Sequence, residues 1–92
     1  MKERAIEKML CREVEARGGV AIKLDPTGRI GLPDRLVILP GRLVFVEVKR
    51  PKGGVIAPHQ AYWLRWLSSH GHAVRVIDTP ESVVELVKEL TT

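Results

Sequence analysis

The sequence predicts a small mixed α/β domain with the element order α-β-β-β-α-β-α. Three observations predict it. Apolar residues recur at helical spacing between Glu3 and Arg17, two runs rich in Val, Ile, Leu and Phe flank Pro40-Gly41, and Pro58 and Pro80 stand where helices begin. At 92 residues the chain supports one modest core, read as a single domain over 1–92. A hydrophobic content of 45% with 28% charged residues excludes wholesale disorder. Apolar runs such as Leu36–Leu39 fall far short of the roughly 20 residues a membrane helix needs, so no membrane partner is expected. Glu3, Arg4, Glu7 and Lys8 stand where an export signal needs apolar residues. The lone Cys11 suits a reducing compartment, and a cytoplasmic location is the expectation. Fifteen basic against eleven acidic residues give +4, a balance that suits nucleic acid without establishing it.

Along the first helix, Glu3 to Arg17, Ile6, Met9, Leu10 and Val14 share one face, with Glu7 at its margin. Gly18-Gly19 supplies the stop. Val20 to Leu24 alternates as a strand, with Val20, Ile22 and Leu24 on one face and Lys23 on the other. Asp25-Pro26-Thr27-Gly28 fits a type I turn. Arg35 to Leu39 and Leu43 to Lys49 form a hairpin around Pro40-Gly41, ended by Pro51 and Gly53-Gly54. A helix runs from Pro58 to about His70, with Ala57 as a poor N-cap and Gly71 as its stop. Ala73 to Ile77 is the fourth strand, and Thr79-Pro80 opens a last helix through Leu90.

The hairpin carries the chemistry. With the turn centred on Pro40-Gly41, Leu39 faces Arg42, Leu36 faces Phe45 and Asp34 faces Glu47. Directly opposed side chains project to one face, and alternation adds Lys49 to it while Val44, Val46 and Val48 take the other. Two carboxylates and an ammonium thus gather at one end of an apolar ribbon. Burying such charges costs several kcal/mol unless they are paired, and adjacent carboxylates repel. Lys49 offsets part of that cost; a hard cation, Mg²⁺ or Mn²⁺, would offset more. The structural alternative is a cross-strand salt bridge at the open end of a hairpin.

Pro33-Asp34 followed by Glu47-Val48-Lys49 resembles the PD-(D/E)XK nuclease signature, and the α-β-β-β-α-β order matches that restriction-endonuclease-like core. Gly31-Leu32-Pro33-Asp34-Arg35-Leu36, then Val46-Glu47-Val48-Lys49, then Gln60 at a helix start, with Glu7 ahead of the Gly-Gly stop, resembles the VRR-NUC family. The resemblance covers nearly the whole chain. It implies that Asp34, Glu47 and the Val48 carbonyl hold the metal and that Lys49 positions or activates the attacking water or stabilises developing charge. It also implies that Glu7 contributes directly or through a bound water and that Gln60 helps hold the site. The implied reaction is metal-dependent hydrolysis of DNA phosphodiesters, with branched DNA such as four-way junctions as the substrate the family suggests. A flap- or end-directed nuclease and a non-catalytic nucleic-acid-binding module of the same fold are the competing readings.

Lys23, Arg29, Arg35, Arg50 and Lys52 cluster in sequence around this site and are candidates for phosphate binding, and Gly28 and Gly31 would let their loop approach a nucleic-acid backbone. Tyr62 and Trp66 lie on a different side of their helix from Leu64 and Leu67, so that helix needs two burial partners. The last helix, with Val83, Val84, Leu86, Val87 and Leu90, could supply one and a second protomer the other, and a homodimer is expected. A protein-interaction role for that patch is the third class of function. His59, His70 and His72 lack zinc-site spacing, and Cys11 reads as a packing residue.

Overall fold

A computed structural model describes residues 2–25 and 27–92. The elements follow the predicted order: α1 (Glu3–Glu15), β1 (Val20–Lys23), β2 (Arg35–Leu39), β3 (Arg42–Val48), α2 (Pro58–Ser69), β4 (Val74–Ile77) and α3 (Pro80–Leu90). The strands form one sheet in the order β1-β2-β3-β4, antiparallel except for the parallel pair β3-β4. A parallel pair needs a crossover, and α2 supplies it.

The β2-β3 hairpin has the expected register, with Leu39 opposite Arg42 and Leu36 opposite Phe45. Gly41 takes φ +74°, the left-handed value required at the second central residue of a type II turn, so Pro-Gly closes a two-residue loop. α1 and α3 pack together on the sheet face that carries Val37, Val44, Val46 and Val48. Ile6, Leu10, Val14, Val83 and Val87 fill this layer at 0–1% exposure, and Met9 and Cys11 pack at its margin. No helix is long and apolar enough to cross a membrane among the described residues.

Most departures from expectation lie at element ends. α1 stops at Glu15, and Gly18 at φ +83° turns the chain toward β1. Arg42 joins β3, whereas Lys49 lies just beyond it. In β1 the face facing the core is that of Ala21, at 7% exposure; Val20 and Ile22 are each 43% exposed on the opposite face. That inversion follows from the register, because Ala21 pairs with the buried Val37. The turn expected over Asp25–Gly28 includes Pro26, which lies outside the described residues. Beside it, Asp25 Oδ1 accepts the Thr27 amide at 2.9 Å.

Candidate active site

The opposite face of the sheet is not a second apolar core. Beneath the first turn of α2 it holds Glu47, the one buried charged residue among the described residues, at 1% exposure. Strand alternation puts it there: its neighbours Val46 and Val48 point into the α1-α3 layer. Asp34 lies one step beyond the Arg35–Val46 pair, opposite Glu47 in the continued register. Its Oδ2 accepts the Val48 amide at 2.8 Å, so the side chain folds back against β3.

The end of β3 directs one more oxygen. Lys49 N–H donates to the Ile77 carbonyl of β4 at 2.9 Å. In a trans peptide the preceding C=O points the other way, so the Val48 carbonyl faces the β2 side, where Asp34 stands. The Val48 carbonyl is therefore directed to the side of β3 on which Asp34 stands, and the Glu47 carboxyl is close enough to feel the Asp34 charge.

Gln60 joins both charges of the Glu47–Lys49 pair. Its Nε2 donates to Glu47 Oε2 at 2.7 Å, and its Oε1 accepts from Lys49 Nζ at 2.8 Å. The amide orientation follows from chemistry, since an ammonium only donates and a carboxylate only accepts. The same Oε1 accepts the Ala57 amide at 2.9 Å. Ala57 has no side-chain oxygen with which to cap α2, and Gln60 at the third helical position closes the helix from the other side. One residue thus starts α2 and ties it to the charged pair.

The balance of charge is incomplete. Lys49 Nζ lies 3.3 Å from Glu47 Oε2, but Glu47 Oε1 is buried with no hydrogen-bond partner. Burial, then the charge of Asp34, push the Glu47 carboxyl up to about 7, against a smaller pull downward from Lys49. A buried oxygen left unsatisfied beside a second carboxylate suits a cation better than it suits a closed salt bridge. Among the described residues no three His, Cys, Asp or Glu side chains assemble into a metal cage. Besides the two carboxylates, the oxygen that could serve a cation here is the main-chain carbonyl of Val48.

Glu7 lies part-buried at the margin of α1, as its place on the helix predicts, whereas Arg35 does not take the open position anticipated for a phosphate contact. Arg35 faces the α1 side of the sheet, where its Nε donates to Glu7 Oε2 at 2.7 Å and its Nη1 to the Ala21 carbonyl at 2.9 Å. Its side chain is 19% exposed. Arg35 is therefore an internal clamp on Glu7 rather than an open phosphate contact. Glu7 shares a cleft with Asp34 but is held by Arg35 and, at 3.9 Å, by Lys23. Arg50 and Lys52 are exposed on the loop after β3, with Lys52 at φ +54°. Arg29 lies over the Trp63 ring, 5.9 Å from its centroid, and thereby ties the β1-β2 loop to α2. Gly31 approaches this protein's own backbone rather than a ligand's: at φ +94°, a Cβ there would sit 2.6 Å from the His59 carbonyl oxygen. Nothing in the residues flanking Gly31 signals that contact, which joins segments far apart in the chain.

Known proteins resemble this chain over nearly its whole length. No protein-family model matches the chain. Over 82 residues it is 44% identical to "Putative nuclease p44" of Acyrthosiphon pisum secondary endosymbiont phage 1, spanning 88% of this chain and 87% of that one. A solved structure described as a VRR_NUC domain superposes with a TM-score of 0.88 at 37% identity, over 96% of each chain. The chain belongs to the VRR-NUC nuclease family. In this VRR-NUC domain, the Pro33-Asp34 and Glu47-Val48-Lys49 segments meet at the open end of the hairpin, and Gln60 reaches them from α2.

Proposed function

We infer that this domain hydrolyses DNA phosphodiester bonds with a Mg²⁺ or Mn²⁺ ion held by Asp34, Glu47 and the Val48 carbonyl. The observation that carries the reading is the buried Glu47 carboxyl facing a second carboxylate, Asp34, with no donor supplied to its Oε1. A structural ion pair would have satisfied that oxygen; an all-oxygen donor set of this charge fits a hard cation. When bound, such an ion lowers the pKa of water and offsets negative charge on a phosphate.

The chain's own residues supply the rest. Lys49 brings an ammonium into the cluster, and Gln60 fixes its direction through a 2.8 Å hydrogen bond. From there it orients the attacking water or neutralises charge that develops on the phosphate oxygens. Gln60 also restrains the Glu47 carboxylate, limiting reorganisation as the charge changes. Glu7, fixed by Arg35, lines the cleft on the Asp34 side and acts from there on water or substrate.

Branched DNA such as a four-way junction is the proposed substrate, cut by a homodimer acting symmetrically. Support for the second copy comes from α2: Tyr62 is 52% and Trp66 39% exposed, and Val20, Ile22 and Leu43 leave further apolar surface on the same side of the sheet.

The test is cleavage of labelled junction, flap and linear duplex with Mg²⁺, with Mn²⁺ and with chelator. Metal-dependent cutting that is lost in Asp34→Asn and Glu47→Gln, with both variants folded, is the expected result. Cutting retained in both would overturn the site, and binding without cutting in any metal would favour the non-catalytic module. Light scattering over a range of concentrations tests the dimer, and a monomer throughout would remove it.

A further inference from the structure

A cleft of about 710 Å³ runs beside α1 and reaches Asp34. Its helix wall carries Arg4, Lys8 and Arg12, each exposed and each four residues from the next. That spacing puts them on one side of α1. None of the three has a carboxylate within ion-pair distance among the described residues. Across the cleft stands Lys23, 69% exposed. A second cleft of about 320 Å³ is lined by Lys49 and Arg50, and Glu3 borders both clefts. Asp34 opens on one and Lys49 on the other, so the candidate catalytic cluster lies where the two approach each other. In sequence these three cations are only the polar side of an amphipathic helix, with nothing to set them apart.

We propose that Arg4, Lys8 and Arg12 form a phosphate track that lays one DNA strand along α1 and leads it to Asp34, with Arg50 continuing the path beyond Lys49. The proposal rests on the nuclease reading and specifies which surface carries its substrate. Four residues of helix advance about 6 Å, so the stripe spans about 12 Å. At roughly 3.4 Å per nucleotide along a duplex strand, that is three to four nucleotides. Glu7 is already matched by Arg35, which leaves Glu3 and Glu15 as the opposing charges at either end of the stripe. An acidic protein segment would meet the same cations, but nothing about it would require the track to end at the catalytic acids.

Binding is read by fluorescence anisotropy of labelled duplex and junction DNA, in chelator and in an Asp34→Asn background so that no chemistry intervenes. Each lost phosphate contact lowers the slope of log affinity against log salt by about 0.9. Arg4→Ala/Lys8→Ala/Arg12→Ala is expected to lower the slope by about 2–3 and to weaken binding at least tenfold in low salt. Arg65→Ala/Lys88→Ala removes exposed cations outside both clefts and is expected to change the slope by less than about 0.5. Glu15→Lys lengthens the stripe and is expected to tighten binding. A triple variant that behaves like the Arg65/Lys88 control, a Glu15→Lys variant with no gain, or displacement of DNA by poly-glutamate as effective as by unlabelled DNA would each overturn the track. If wild type cuts nothing while the triple variant still loses binding, the nuclease reading falls and the track stands. Cutting by wild type together with full binding by the triple variant gives the reverse.

Discussion

Replacing Glu47 by glutamine should stabilise the metal-free protein at alkaline pH while abolishing its cleavage. The Glu47 carboxyl rises from 4.5 to about 7 in the fold. At 1.36 kcal/mol per pH unit, ionising it costs about 3 kcal/mol more in the native state than in the unfolded chain. The native state therefore holds a proton between those two values that the unfolded chain has released. The resulting stability is complete below 4.5 and is lost as pH rises through about 7. In Glu47→Gln the side chain would carry no charge to desolvate and would keep the contact with Gln60 through its carbonyl. It would also offer Asp34 an N–H where Oε1 now has no partner. Losing the attraction of Lys49 at 3.3 Å offsets part of the gain. A net gain of about 1–2 kcal/mol at pH 8.5 corresponds to roughly 5–10 °C in Tm for a domain of this size. The assay is thermal or urea unfolding in chelator from pH 5 to 8.5, where the two proteins should converge at the acid end. Adding Mg²⁺ or Mn²⁺ should then raise the Tm of wild type alone, as ligand linkage requires. A Glu47→Gln variant less stable at pH 8.5, or a gap that does not narrow toward pH 5, would refute the reasoning.

Other perturbations separate the remaining roles. Gln60→Ala removes the partner of Glu47, Lys49 and the Ala57 amide together, so it should cost about 1–2 kcal/mol in urea unfolding and reduce kcat more than it raises KM. Arg35→Ala leaves Glu7 and the Ala21 carbonyl without their donor and should cost about 2–3 kcal/mol, with Arg35→Lys recovering only part. Lys23→Ala, at an exposed 3.9 Å pair, should shift stability by less than about 0.5 kcal/mol. Gly31→Ala forces a Cβ to 2.6 Å from the His59 carbonyl at a positive φ and should destabilise by about 2 kcal/mol or more, whereas Gly28→Ala, with open space around it, should melt like wild type.

Which parts of this were legible in the sequence depends on how local their cause is. The hairpin register follows from one Pro-Gly pair and two apolar runs, and it alone brings Asp34 opposite Glu47. Thr79 and Pro80 mark the start of α3 because capping acts within four residues, and Ser82 completes that cap. Arg35 was not legible: in sequence it is one more cation beside the motif, and only the packing of α1 over the Lys23–Arg35 pair turns it inward onto Glu7. Gln60 was half legible. The family resemblance marks it as a residue that helps hold the site, but the contact with Lys49 depends on how the crossover lays α2 over β3, and its bond to the Ala57 amide carries no signal in the sequence reading. The outward turn of Val20 and Ile22 runs against the usual reading of apolar alternation. β1 takes its facing from pairing with β2, where Val37 is already committed to the core.

The two faces of the sheet divide stability from chemistry. On the α1-α3 side every inward residue of β3 is valine, and among the described residues the layer closes without a charged residue in its buried cluster. On the α2 side the same strand presents Glu47, and α2 itself buries only Leu67 while Trp63, Leu64 and Gln60 remain partly exposed. A strand with period two can serve both layers at once, since one residue in two faces each way. A charge that burial and repulsion disfavour persists where the opposite layer supplies the stability it lacks, which is the usual arrangement at functional sites. A helix held chiefly by packing would tolerate loss of one polar contact. α2 meets the site through Gln60, so the position of Lys49 and the start of α2 depend on the same amide, and a change that moves either is expected to move both.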